Sequence, residues 1–183
     1  MQKDTIDPIA VMVKAFEDSN GETVDLVVDH ELNGITMEML NWFFKNVSRY
    51  YKLWHPEDHI SEEWIDEAEE GPPAGSIRIA REKFGDLPFC DLRLRTEKPG
   101  DSPFTYIYNE DIKWSSILSP ENKPIGCITH ESKQEPFGVR MRSTFRFPAK
   151  TPQWLIDAVH KHNQEEMGRF PEFLPELYRE NAS

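Results

Sequence analysis

Between residues 76 and 147 apolar and polar side chains alternate in short runs, and turn-forming residues close each run. Residues 77–82, 89–96, 104–108, 112–118, 125–130 and 139–147 read as strands. The clusters Lys98-Pro99-Gly100-Asp101, Asn109-Glu110-Asp111, Ser119-Pro120-Glu121-Asn122 and Gln134-Glu135-Pro136-Phe137-Gly138 fall between them. Links this short join antiparallel neighbours, because a parallel crossover needs a dozen or more residues. A meander of hairpins is therefore expected. A long helix follows from Thr151-Pro152, with proline in its first turn. Trp154, Leu155, Ala158, Val159, His162 and Glu166 fall near one stripe of that helix, and Gly168 and Pro171 close it.

The first half is more mixed. Residues 10–16 fit a short strand or a weak helix equally well, and Asp18-Ser19-Asn20-Gly21 is a turn. Residues 23–32 alternate, with Val24, Leu26, Val28, His30 and Leu32 on one face. Asn33-Gly34 ends that strand, Thr36 is placed to cap a helix, and 37–46 carry Met39, Leu40, Phe43 and Phe44 on one side. Ser61 is placed to open a second helix over 61–64, and the acidic, Pro/Gly-rich 67–75 reads as loop. Residues 1–8 and 172–183 read as loose ends of a single domain spanning 1–183. One architecture satisfies this order: an α+β helix-grip (START-like) fold, in which a curved antiparallel sheet wraps a long C-terminal helix and leaves a ligand cavity between them.

Composition removes several classes of function. Thirty-three acids against 21 bases leave a formal charge of −12, which argues against nucleic acid and anionic membranes as partners. No apolar run is long enough to span a bilayer, and no basic-then-apolar leader follows Met1, so a soluble cytoplasmic protein is expected. Cys90 and Cys127 match no metal spacing and read as buried small hydrophobes. There is no Gly-rich phosphate loop and no Gly-x-Ser-x-Gly elbow. No feature fixes the oligomeric state, a homodimer included.

The densest chemistry lies in Arg49-Tyr50-Tyr51-Lys52-Leu53-Trp54-His55-Pro56-Glu57-Asp58-His59. Pro56 disfavours helix at His55, so His55 and His59 are not two ligands on one helical face. This aromatic stretch reads as a pocket loop, with His55 a bracing side chain. His162 and Glu166, four apart, share one face of the last helix; such a pair either binds a metal or is a surface pair. Glu82 ends the first strand of the meander, as a ligand or as a strand-end charge. His30, on an apolar face, reads first as a satisfied core or pocket-edge histidine. Arg140 and Arg142 read as a solvated strand face before an anion site. Two histidines and two glutamates make an N2O2 set suited to Zn²⁺, with Mn²⁺ or Fe²⁺ as alternatives.

Three blocks resemble the 2,4-diacetylphloroglucinol hydrolase and phloretin hydrolase family. They are the stretch from Arg49 to His59, then Thr129-His130 with Gly138-Val139-Arg140-Met141-Arg142-Ser143-Thr144-Phe145, and finally His162-x-x-x-Glu166. They occur in the family's order and span residues 37–170. The resemblance implies a helix-grip fold and a zinc-dependent hydrolase that cleaves a carbon–carbon bond between an acyl group and a phenolic or 1,3-diketone carbon. It places the metal ligands on His59, Glu82, His162 and Glu166. Tyr51 matches a tyrosine that contacts substrate, and His130 a histidine placed to act on it by protonating the ring carbon or holding a phenolic oxygen. Trp54 walls the ring. Glu62 stands where the family carries an amide-bearing residue, and Phe145 and Phe147 stand where a tyrosine helps bind phenols, so the substrate is a phenol or another polyketide-like diketone. Little chain precedes the first block, which implies a more open entrance. Two other functions fit the same cavity. One is a polyketide cyclase or isomerase that releases no acid; the other is a carrier of an aromatic or lipid ligand without turnover.

Overall fold

The structure, a computed structural model, describes residues 6–65 and 74–182. Most of the loop read over 67–75 lies outside the described residues, as do residues 1–5. In chain order the elements are α1 (Pro8–Asp18), β1 (Thr23–Asn33), α2 (Met37–Lys45), α3 (Val47–Trp54), β2 (His59–Trp64), β3 (Ile77–Glu82), β4 (Cys90–Thr96), β5 (Asp111–Leu118), β6 (Pro124–Glu135), β7 (Gly138–Pro148), α4 (Gln153–Gly168) and α5 (Phe170–Asn181). A 3-10 turn, Pro99–Asp101, lies between β4 and β5.

All seven strands form one antiparallel sheet in the order β1-β7-β6-β5-β4-β3-β2. From β2 to β7 every strand pairs with the next in sequence, as the hairpin punctuation requires, and β1 closes the far edge on β7. Helix α4 packs against β1 and lines a cavity of about 560 Å³ with the inner face of the sheet. This is the expected helix-grip arrangement. Residues 10–16, left open between strand and helix, are helical. Asp7 caps α1 by accepting the Ile9 amide at 2.9 Å, and Pro8 sits in its first turn. Ile9 and Met12 of α1 line the cavity.

Four local expectations fail, each for a tertiary reason. Residues 61–64 are not a helix. They belong to β2, whose backbone pairs with β3 from His59↔Glu82 to Trp64↔Arg78, so the ladder overrides the capping signal at Ser61. Residues 104–108 form no strand. Both edges of β5 are already occupied by β4 and β6, and the Ile107 and Tyr108 amides donate instead to the buried Glu131 carboxylate, Tyr108 at 2.6 Å. The 49–59 stretch is helical through Trp54, and only from His55 does it turn; His55 is extended before Pro56 (φ −143°, ψ 85°). The tail is not loose. After Gly168 the chain re-enters helix as α5, with Pro171 in its first turn, and fully buries Phe170 and Leu174.

Those last two corrections share a cause. The rings of Phe43 (α2), Trp54 (α3) and Phe170 (α5) meet edge-on or tilted at centroid distances of 5.1 to 5.5 Å. This aromatic cluster binds three helices into one unit. Trp54 Nε1 also donates to the Glu166 carbonyl at 2.9 Å, which ties α3 to α4. On the outer face, Arg142 grips Asp29 and Arg146 grips Asp25 with paired contacts of 2.7 to 2.9 Å, and Arg140 pairs with Glu31. The strand arginines are thus a cross-strand ladder rather than an anion site. Cys90 and Cys127 are buried and free.

Candidate metal centre

Strand register builds one half of the centre. His59 and Glu82 are direct partners across β2 and β3. A bulge between His59 and Ser61 resets the alternation, so His59, Glu62 and Trp64 oppose Glu82, Ala80 and Arg78 on one face. Helix periodicity builds the other half: His162 and Glu166 are four apart on the buried side of α4. His59 Nε2 lies 3.2 Å from His162 Nε2, 3.4 Å from Glu82 Oε2 and 3.7 Å from Glu166 Oε2; His162 Nε2 lies 3.7 Å from the same Glu166 oxygen. His59, His162 and Glu166 thus form one group whose ligand atoms lie within 4.8 Å of one another, Glu82 joins it at its edge through His59, and each of the four is at most 7% exposed.

The back of each ring is already held. His59 Nδ1 meets the Tyr51 carbonyl at 3.1 Å, an acceptor only, so that nitrogen carries the hydrogen. His162 Nδ1 donates to Asp58 Oδ2 at 3.0 Å, and Asp58 also accepts the Gly85 amide at 3.0 Å. With neutral rings both Nε2 lone pairs face each other among carboxylate oxygens. Such a set needs positive charge at its centre, either a proton or a cation. Burial, helped by the neighbouring His162, pushes the His59 imidazole down to about 3. Burial would also lower His162, but its bond to Asp58 and the charges of Glu166 and Glu82 hold it up at about 9. Burial raises Glu166 to about 7 and raises Glu82. The donor set suits zinc, and outer partners that fix both tautomers are what such a site requires.

The other side chains surround this cluster. Tyr51 stacks flat on His59 (4.0 Å, 3°), and its hydroxyl donates to Glu82 Oε2. Burial, reinforced by Glu82, holds that phenol well above its usual range. Tyr51 and Trp54 line the cavity, as do Phe145 and Phe147. Glu62 lines it too, buried, 3.6 Å from Arg78 Nε and accepting from Ser48 at 3.3 Å; burial raises its carboxyl. His130 faces the same cavity from β6, with Nδ1 at 2.9 Å from Ser143 Oγ and its ring stacked near Phe44. Burial and the nearby His30 lower His130 to about 3. His55 stacks on His162 (5.0 Å, 14°), and its Nε2 lies 3.6 Å from Glu165 and 3.9 Å from Asp58, so it braces by packing and by these carboxylates. A second grouping of His55, Asp58 and His162 exists, but there Asp58 Oδ2 and His162 Nδ1 are already bonded to each other. Glu165 is half exposed and pairs with Lys161.

Three contributors were not singled out in the sequence: Asp58, Asn163 and Ser143. Asn163, wholly buried, donates to Glu166 Oε1 at 2.9 Å and meets His30 Nε2 at 2.9 Å. An asparagine next to a helical ligand was the only available signal. Asp58 lay within the quoted stretch, one residue before His59.

A helix-grip domain with a buried His₂Glu₂ cluster at the wall of an apolar cavity is a candidate metal-dependent enzyme scaffold. The family described as "DAPG hydrolase PhiG domain" matches residues 17–152, and the chain belongs to this family of hydrolases. The match includes Tyr51, His59, Glu82 and His130 and stops before His162 and Glu166. No curated protein matches the chain. Among solved structures it resembles a START superfamily protein from Mycobacterium smegmatis (TM-score 0.59, 9% identity, 86% of this chain and 99% of that one). It also resembles Ara h 8.0201 (0.59, 9%, 85% and 99%) and protein MLL2253 from Mesorhizobium loti (0.56, 9%, 84% and 98%). At that identity the likeness is one of fold.

Proposed function

We propose that the protein is a zinc-dependent hydrolase that cleaves the bond between an acyl group and a phenolic or 1,3-diketone carbon, releasing a carboxylic acid. The observation that carries this reading is the convergence of His59, Glu82, His162 and Glu166 at one wall of an apolar cavity in a chain of this family. Bound zinc supplies a Lewis acid that makes water a nucleophile near neutral pH; Mn²⁺ or Fe²⁺ in the same ligands is the alternative. His59 and His162 would hold it with their Nε2 atoms, and Glu82 and Glu166 would each offer an oxygen. Tyr51 steadies Glu82 and presents its hydroxyl at the edge of the centre. Trp54, Phe145 and Phe147 wall an aromatic ring and keep bulk water from it. From the keto tautomer of the ring the acyl-bearing carbon departs as an enolate that is already the phenolate, and His130 holds the ring oxygen on which that negative charge gathers; protonation of that oxygen gives the phenol.

The test is product analysis with zinc-loaded protein and acylphloroglucinols or aryl 1,3-diketones. The reading expects one equivalent of carboxylic acid per ring product, abolished in His162→Ala. A rearranged product without acid release would replace it with a cyclase or isomerase. Saturable binding without any turnover would replace it with a carrier.

A further inference from the structure

A buried chain of hydrogen bonds joins Glu166 to the opposite wall of the cavity. Glu166 Oε1 accepts from Asn163 Nδ2 at 2.9 Å, and Asn163 Oδ1 lies 2.9 Å from His30 Nε2. His30 Nε2 also lies 3.4 Å from Ser143 Oγ, which lies 2.9 Å from His130 Nδ1. Asn163 and Ser143 have no exposure, and His30 is 9% exposed, so solvent does not reset these bonds.

Hydrogen counting gives the chain one direction. An ionised Glu166 only accepts, so the Asn163 amide nitrogen faces it and the amide oxygen faces His30. That oxygen also only accepts, so His30 carries its hydrogen on Nε2 and shares it with Ser143 Oγ. The Ser143 hydroxyl hydrogen then has one acceptor left among its contacts, His130 Nδ1. We propose that Glu166, ionised as a metal ligand, fixes the tautomer of His130 through Asn163, His30 and Ser143, so that His130 presents an Nε2–H donor to the cavity. The proposal rests on the reading of Glu166 as a ligand. It makes Asn163, His30 and Ser143 positioning residues. It also makes the group recognised on that wall an acceptor oxygen, a carbonyl or an enolate. The low basicity of the buried His130 ring agrees, since a ring that stays neutral keeps its lone pair on Nδ1. Of the two roles open to His130 from sequence, holding an oxygen fits this tautomer, and delivering a proton as an imidazolium does not.

The experiment is two-bond proton–nitrogen NMR on zinc-loaded, ¹⁵N-histidine-labelled protein, with the His130 signals assigned by their loss in His130→Gln. A single Nε2–H tautomer is expected for His130 in the wild type. Ser143→Ala should turn it into a mixture of both tautomers with zinc content unchanged. His30→Gln, which restores a donor toward Asn163 and Ser143, should keep the wild-type pattern. An Nδ1–H tautomer in the wild type, or no change in Ser143→Ala, overturns the proposal. Zinc measured on the same samples separates the two claims: protein that binds no zinc removes the metal reading and the anchor with it, whereas zinc-bound protein with the wrong tautomer removes only this inference.

Discussion

Asp58 holds the His162 ring in place through one bond to its Nδ1. Burial raises its carboxyl, yet its bonds to His162 and the Gly85 amide bring it down to about 2. Asp58→Asn should keep the fold and lower zinc affinity about 10- to 100-fold, read by chelator competition. The same charges set the behaviour of the metal-free protein. Glu166 is raised to about 7 and His162 to about 9, each above its unfolded value, so these two groups bind protons more tightly in the folded state. That stability is present below the unfolded values of 4.5 and 6.5 and is lost as pH rises through about 7 and then 9. Below about pH 6.5 the depressed His59 and His130, each at about 3, act in the opposite direction. Melting curves of chelator-treated protein should therefore fall from about pH 7 to pH 9, while zinc-loaded protein, whose cation replaces the protons of Glu166 and His162, should not follow that fall. A metal-free protein that gains stability over that range would contradict the charge assignment. His162 and Glu166 were legible as one helical face, a spacing that surface pairs share, and His59 as one histidine of an aromatic stretch; the resemblance is what marked them as candidate ligands. Glu82 was legible only through resemblance, because its place depends on a bulge that no single residue announces. Asn163 offered only its place beside His162, and Ser143 only its place in a quoted block, since their importance lies in what they touch.

The elements were read correctly where periodicity and turn chemistry agree, and wrongly where a tertiary partner decides. The hairpin at Pro136-Phe137 is an example of agreement. Gly138 has φ +150°, and a Cβ there would lie 2.1 Å from the Leu32 carbonyl oxygen of β1. Gly138→Ala must push β1 off β7 and should cost roughly 2 kcal/mol or more in denaturant titrations. The last helix is an example of failure. Residues 172–181 look polar and carry a proline, so sequence alone leaves them as coil. Phe170 nevertheless closes the aromatic cluster that holds the helix bearing Tyr51 and Trp54. Phe170→Ala should destabilise the protein by about 3–5 kcal/mol and weaken zinc binding indirectly. A melting temperature equal to wild type would show that α5 is an appendage.

At the scale of the molecule, the order of elements was enough to specify a sheet closed on a C-terminal helix, because short links dictate antiparallel neighbours and the final helix has one apolar face. What the order could not specify is which sheet edge meets the helix, and that choice creates the centre. Pairing β2 beside β3 brings His59 against Glu82, and packing α4 across the sheet brings His162 and Glu166 to them. No helix among the described residues is long and apolar enough to cross a membrane. The central claim is that these four side chains hold one zinc. The direct measurement is elemental analysis of purified protein, wild type and His162→Ala, before and after incubation with zinc and removal of excess. The account predicts about one zinc per chain in the wild type and little in the variant. No zinc in either protein, and none taken up on incubation, would contradict it and leave a ligand-binding cavity whose histidine and carboxylate cluster is held together by protons alone.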